Sequence, residues 1–284
     1  KQAAGATAAD PQLSVGAQGD NYETGMAASF GVPGQGGKVI LEEDPLDIQT
    51  GEEMAGIDAS IFRAYDIRGV VDKTLTTDAV RLIGCAIGSE ALQRGRDTMV
   101  VGRDGRLSGP ALSEALMAGI ISTGCNVKDI GCVPTPVLYF AAHHLDTQSG
   151  VVVTGSHNPP DYNGLKIVID GETLSGESIQ DLRERIEAAN FISGQGSVET
   201  VNVVPDYIER IRGDVNLVRP LKVVIDCGNG VAGSMAPGLF RGLGCDVTEL
   251  FCEVDGNFPN HHPDPSKTEN LTDLIDAVRD SGAD

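Results

Sequence analysis

Two stretches about 120 residues apart run through the same succession of an apolar strand, a polar Gly-containing turn, a helix and a second strand. "TMVVGRDGR" opens the first and "LKVVIDCGNG" the second. Both continue to Gly-Cys-x-Val-x(4)-Cys, in "TGCNVKDIGCV" and "LGCDVTELFCEV". This repetition predicts an α/β protein of tandem domains related by duplication, with mixed sheets between helices.

The length of 284 residues and a hydrophobic content of 40% accommodate roughly two domains of the usual ~100–150 residues. Aromatic residues make up only 4% and Trp is absent, so the cores must be aliphatic. A formal net charge of −20 argues against nonspecific binding to nucleic acid or an anionic membrane. A phosphate-bearing ligand must therefore be held by local basic groups acting against the global field. No apolar run approaches the ~20 residues of a membrane-spanning helix, and the N-terminus lacks a signal-peptide pattern. The six cysteines are widely spaced with no CxxC, which suits buried thiols in a reducing cytoplasm better than a disulfide frame or a zinc site.

Residues 1–57 are rich in Gly, Ala, Gln and acids and read as a flexible acidic tail or linker. Within them "GVPGQGGKV" fails as a phosphate loop, because Val32 stands where the first Gly is required and Val39 where Ser or Thr should be. A first domain is expected over 58–203 and a second over 204–284. In the first, "TTDAVRLIGCAIGSEALQRG" reads as a helix from a Thr/Asp cap, with Val80, Ile83, Ala86, Ile87 and Leu92 tending to one face. "LSGPALSEALMAGIISTG" reads as a helix with Pro110 in its first turn and Gly124 at its end. "GESIQDLRERIEAA" places Ile179, Leu182 and Ile186 inward, and "VPDYIERI" opens another helix.

The chemistry concentrates in "VVVTGSHNPPDYNGLKIVI", residues 151–169. Gly, Ser, Asn, Pro and Asp are ordinary turn residues taken singly. Together, however, Ser156, His157, Asn158 and Lys166 put a hydroxyl, an imidazole, an amide and an ammonium at one strand end, the equipment for moving a charged group onto and off a serine. "FRAYDIRG" carries Arg63, Tyr65, Asp66 and Arg68, which alone would read as a solvated segment. Gly228, Gly230 and Gly233 spell G-x-G-x-x-G with Glu253 20 residues on, a dinucleotide-binding fingerprint on paper. A tight turn for close helix–strand packing is the stronger reading there, since Asp226 would sit beside the pyrophosphate. His261 and His262 in "NHHPDP" are expected to be turn or surface residues.

Residues 60–284 resemble the α-D-phosphohexomutase superfamily, and within it the bacterial phosphomannomutase/phosphoglucomutase branch. The carriers are "IFRAYDIRG", "VGRDGRLSGPAL", "PTPVLYFA", "TGSHNPPDYNGLKI", "DCGNGVAG" and "CEVDGNFPNHHPDP", and the serine loop is the most specific. The resemblance implies an isomerase that interconverts 1- and 6-phosphates of mannose or glucose through a phosphoserine and a bisphosphorylated sugar, with glucose 1,6-bisphosphate as activator. By its place in "TGSHNP", Ser156 is the implied phosphoserine. Arg68 and Lys166 fit the demand for cationic stabilisation. His157 and Asn158 would hold the loop, Tyr65 would meet the sugar, and the general base lies open between Lys166 and His157. Magnesium would bind Ser156 through its phosphate. The family's Asp-Gly-Asp-Gly-Asp-Arg loop should follow "SGAD" but the sequence stops at Asp284, so the resemblance implies an incomplete second domain, an incomplete metal site and an inactive isolated chain. A phosphosugar-binding protein without turnover and a dinucleotide-dependent oxidoreductase are the competing classes.

Overall fold

The computed structural model describes residues 57–284. The tail reading of residues 1–57 and the rejected phosphate loop therefore lie, Ile57 apart, outside the described residues.

The first unit opens with a 3-10 turn at Ala59–Ile61, capped by the Asp58 carboxylate, and runs into β1 (Ile67–Val70). There follow α1 (Thr77–Gln93), β2 (Thr98–Arg103), α2 (Gly109–Ile121), β3 (Asn126–Cys132), α3 (Thr135–His144), β4 (Gly150–Val153), β5 (Tyr162–Ile169), β6 (Glu172–Thr173), α4 (Glu177–Glu187) and β7 (Val198–Thr200). The sheet order is β1-β5-β4-β2-β3-β7, with β6 on β5. β4, β2, β3 and β7 run parallel, whereas β5 is antiparallel to β1, β4 and β6. This is the mixed sheet expected from the sequence.

Helices cover both faces. Met99 and Val101 of β2 with Val151 and Val153 of β4 face one aliphatic cluster containing residues of α1, α2 and α4. Val100 and Val152 face a second cluster containing Val137, Leu138 and Ala141 of α3. Strands buried on both faces need continuous apolar runs rather than alternation, which is why "MVV" and "VVV" are uninterrupted. In α1 the Thr76 hydroxyl accepts from the Ala79 amide. Val80, Ile83, Ala86 and Ile87 are fully buried and Leu92 partly so. α1 and α2 meet through glycines: a Cβ on Gly119 would lie 2.1 Å from the Arg81 carbonyl oxygen, and one on Gly84 2.4 Å from that of Leu116.

The second unit begins with α5 (Val204–Asp214) and continues through β8 (Lys222–Asp226), a 3-10 turn at Val231–Ser234, α6 (Ala236–Gly242), β9 (Asp246–Leu250), a 3-10 turn at Thr268–Leu271 and α7 (Thr272–Ser281). β8 and β9 pair in parallel, Asp226 opposite Leu250. The duplicated succession is present, but its helix differs between copies. α2 has 13 residues, whereas the second copy breaks into the 3-10 turn and a seven-residue α6. Gly233, Pro237 and Gly238 lie in this stretch and disfavour one long helix. No helix among the described residues is long and apolar enough to cross a membrane.

Gly119→Ala should lower the unfolding free energy by about 1–3 kcal/mol, because the α1–α2 backbones must part to admit the methyl group. Chemical denaturation checks this, and an unchanged midpoint would mean that the helices are not in backbone contact.

Candidate active site

β2, β3 and β4 are parallel and end on one edge of the sheet, the edge at which open α/β sheets place their ligands. Ser156 lies three residues beyond β4, and the βα turn 104–107 leaves the adjacent end of β2. Facing them across a cleft of about 540 Å³ are residues of the second unit, among them Asp226, Gly228, Phe258, His261 and Pro263. Ser156, His157 and Lys166 all line this cleft.

The serine loop is organised from beneath. Asp104 accepts from the Thr154 hydroxyl at 2.8 Å and from the Gly155 amide at 3.0 Å. Thr154 Oγ1 in turn accepts from the Ser156 amide at 3.0 Å. Arg106 is only 2% exposed. Its guanidinium donates to the carbonyls of Ser156, Asn158, Pro159 and Tyr162 and lies 3.3 Å from Asp104 Oδ2. Burial pulls the Arg106 pKa below the ordinary arginine value, against the opposing pull of Asp104. Gly155 is required here, since a Cβ would lie 2.2 Å from Arg106 Nε. Ser156 itself has φ +52°, a left-handed conformation that costs a non-glycine residue on the order of 1 kcal/mol and persists when surroundings enforce it. Its side chain remains exposed.

His157 Nδ1 lies 2.8 Å from the Pro263 carbonyl oxygen of the second unit. A carbonyl only accepts, so Nδ1 carries the proton and neutral His157 has its lone pair on Nε2. Asn158 donates to the Gly155 carbonyl and accepts from Arg68 at 3.4 Å. Lys166 occupies the middle of β5 opposite Val152 and, among the described residues, has no ion pair or side-chain hydrogen bond. Arg68 in β1 reaches the loop through Asn158 but is not part of the cleft wall, and its Nε has no hydrogen-bond partner among the described residues. Tyr65 is 80% exposed and also lies outside that wall.

His261 departs from the sequence expectation of a turn or surface residue. It is half-buried in the cleft wall, with Nε2 3.0 Å from an Asp226 carboxylate oxygen and Nδ1 3.0 Å from the His262 carbonyl oxygen. Both ring nitrogens thus face oxygen acceptors, an arrangement that favours the protonated ring. Desolvation opposes that charge, but the hydrogen bonds to His262 and Asp226 outweigh it and raise the His261 pKa. Asp226 also accepts from the Gly228 amide. The G-x-G-x-x-G reading loses its physical basis here: a 3-10 turn at Val231–Ser234 takes up the third glycine and α6 begins only at Ala236, so no α-helix starts between the second and third glycines to receive a pyrophosphate, and the His261 ring sits over Gly228, 3.0 Å from where a Cβ would be.

Asp104 and Arg106 escaped the sequence reading, although "VGRDGR" contains them. The available signal was an arginine flanked by Asp-Gly immediately after an apolar strand, a pattern that an exposed turn shares. Phe258 completes the arrangement, with its ring centroid 5.1 Å from the Arg106 guanidinium carbon.

The model of phosphoglucomutase/phosphomannomutase alpha/beta/alpha domain I matches residues 59–193, and that of domain II matches residues 205–284. The chain belongs to the phosphoglucomutase/phosphomannomutase family. It is 62% identical over 226 residues to phosphomannomutase/phosphoglucomutase of Pseudomonas aeruginosa, a match covering 80% of this chain and 49% of that protein. To phosphoglucomutase of Neisseria gonorrhoeae it is 53% identical over 233 residues, covering 81% and 51%. The crystal structure of a phosphoglucomutase/phosphomannomutase family protein from Burkholderia thailandensis superposes with a TM-score of 0.78 at 53% identity, over 80% of this chain and 52% of that one. The chain thus spans about half the length of the curated relatives it matches.

Two outcomes follow from this geometry. Arg106→Met should cost about 3–5 kcal/mol of stability, since it removes the side-chain donor to four carbonyls and the cation beside the Asp104 carboxylate, and it should raise amide exchange across 155–162. Denaturation with hydrogen-exchange mass spectrometry measures both, and a neutral effect would remove Arg106 as the loop's anchor. The raised His261 pKa stabilises the fold fully below the ordinary value of 6.5, and that contribution is lost as pH rises through the folded-state value. The stability gap between wild type and His261→Asn should therefore narrow from about pH 6.5 upward, and a gap constant in pH would contradict the charged pair.

Proposed function

We propose that the protein transfers a phosphoryl group between the 1- and 6-hydroxyls of glucose or mannose phosphates, with Ser156 as its carrier. The observation that carries this reading is the serine loop: an exposed hydroxyl on an enforced left-handed residue, at the carboxyl edge of the sheet, in a cleft shared with His157 and Lys166. The names of the relatives supply the sugars.

In the first half-reaction a hexose hydroxyl attacks phosphorus of phosphoserine 156, losing its proton as the P–Oγ bond breaks. The product is a hexose bisphosphate and a serine oxygen that takes up a proton. After the intermediate turns over, Ser156 Oγ attacks the other phosphate and recovers a phosphoryl group. Phosphoryl transfer spreads charge over the equatorial oxygens, so positioning and cations do most of the work. Lys166 is the one Lys or Arg side chain on the cleft wall, and Arg68 donates to Asn158 from outside that wall. His157 Nε2 supports a role as the proton acceptor, because Nδ1 is committed to Pro263. Glucose 1,6-bisphosphate fits as the activator that loads the serine, and Tyr65 could meet a sugar only from outside the cleft described above.

Magnesium is the cofactor that the resemblance implies. Among the described residues no three His, Cys, Asp or Glu side chains converge to hold a metal ion, and a single phosphoserine oxygen does not satisfy octahedral coordination with carboxylate support. These residues do not fit a magnesium site.

Incubation with glucose 1,6-bisphosphate followed by peptide mapping should place the phosphate on Ser156, leaving Thr154 and Ser108 unmodified. Ser156→Ala should then abolish labelling and lower any mutase turnover with glucose 1-phosphate or mannose 1-phosphate by at least ~10³-fold. Labelling at Thr154 or Ser108 with Ser156 clean would overturn the reading.

A further inference from the structure

Cys227 directly follows β8 and Cys252 lies two residues beyond β9. The parallel register opposing Asp226 and Leu250 continues in a bond from the Cys227 amide to the Leu250 carbonyl. Both side chains are therefore brought to one edge of the second sheet, where the two sulfurs lie 3.4 Å apart. Both residues are half-buried free thiols. The sulfurs must approach by only about 1.4 Å to reach the ~2.05 Å of a disulfide bond. No other pair of cysteine sulfurs among the described residues is in contact; Cys85, Cys125 and Cys245 are buried and Cys132 is exposed in the first unit.

We propose that Cys227 and Cys252 are a modification site, a dithiol converted to an intradomain disulfide by exchange with a low-molecular-weight disulfide such as oxidised glutathione. One of the two thiols loses a proton to solvent and its thiolate attacks one glutathione sulfur, breaking that S–S bond and releasing one glutathione thiolate, which is protonated. The second thiol then loses its proton and attacks the first cysteine's sulfur, releasing the second glutathione. Two protein thiols and one oxidised glutathione thus become one protein disulfide and two reduced glutathiones.

Burial raises both thiols, Cys227 to about 12. The bond would tie down a wall of the cleft. Asp226 and Gly228, on either side of Cys227, hold and contact His261. On the other side, Gly233 presses on the Cys252 carbonyl, 2.0 Å from where a Cβ would lie.

The full chain is equilibrated in glutathione buffers from reducing to oxidising, quenched by alkylation, and read by intact mass and peptide mapping, with Cys132 as the exposed control. The expected result is a species lighter by two hydrogens whose cross-linked peptides contain Cys227 and Cys252. Cys227→Ser and Cys252→Ser should each instead accumulate a glutathione adduct on the remaining cysteine of the pair. Recovery of both wild-type residues as alkylated free thiols at the oxidising extreme, or a cross-link through Cys132, would overturn the proposal. The wild-type masses decide the main point even where a variant fails to fold.

Discussion

A single buried guanidinium organises the candidate site. Arg106 fills the space beneath the serine loop and donates to four backbone carbonyls, of which that of Pro159 also accepts from the Tyr162 amide. An arginine suits this task because its planar fork presents five donors in fixed directions. A lysine ammonium could not reach carbonyls spread from Ser156 to Tyr162. Desolvating the charge is costly, and the Asp104 carboxylate at 3.3 Å offsets that cost while also fixing Thr154 and Gly155. The left-handed conformation of Ser156 follows, since its amide and its carbonyl are both already committed.

The same turn joins the two units. A Cβ on Gly105 would lie 2.4 Å from Val254 Cγ1, and one on Gly256 2.7 Å from the Leu107 amide nitrogen. Backbone therefore meets backbone where the second unit docks, with Phe258 over the Arg106 guanidinium. Pro263 reaches the serine loop itself through His157. The turn that carries Pro263 is held in place by His261, which is bonded to Asp226 at the end of β8. The imidazole tautomer at the serine loop thus depends on a carboxylate 69 residues further along the chain.

Much of the first unit was legible in the sequence because its signals are local. Uninterrupted apolar strands, the Thr76 cap, Pro110 in the first turn of α2 and Gly124 with φ +96° after it each act within a few residues. The serine loop was legible as a set for the same reason. Arg106 was not, because arginine is mostly exposed and only the folded loop reveals the four carbonyls that draw it inward. His261 was missed because its partner Asp226 is 35 residues away. The broken helix of the second copy was obscured by the duplication, which argued for a continuous one against the local evidence of Gly233, Pro237 and Gly238. Tyr65 is exposed and outside the cleft wall, a direction that its place in the motif does not disclose.

The chain carries a formal net charge of −20, whose long-range field repels anions, and screening confines that repulsion to roughly 8 Å at physiological ionic strength. Inside the cleft the charges are mixed: Asp104, Asp226 and Asp264 line it together with Lys166. Asp104 is paired with Arg106 and Asp226 with His261, whereas Lys166 has no carboxylate partner among the described residues. An anion entering the cleft therefore finds its unpaired ammonium on the wall that Lys166 shares with Ser156.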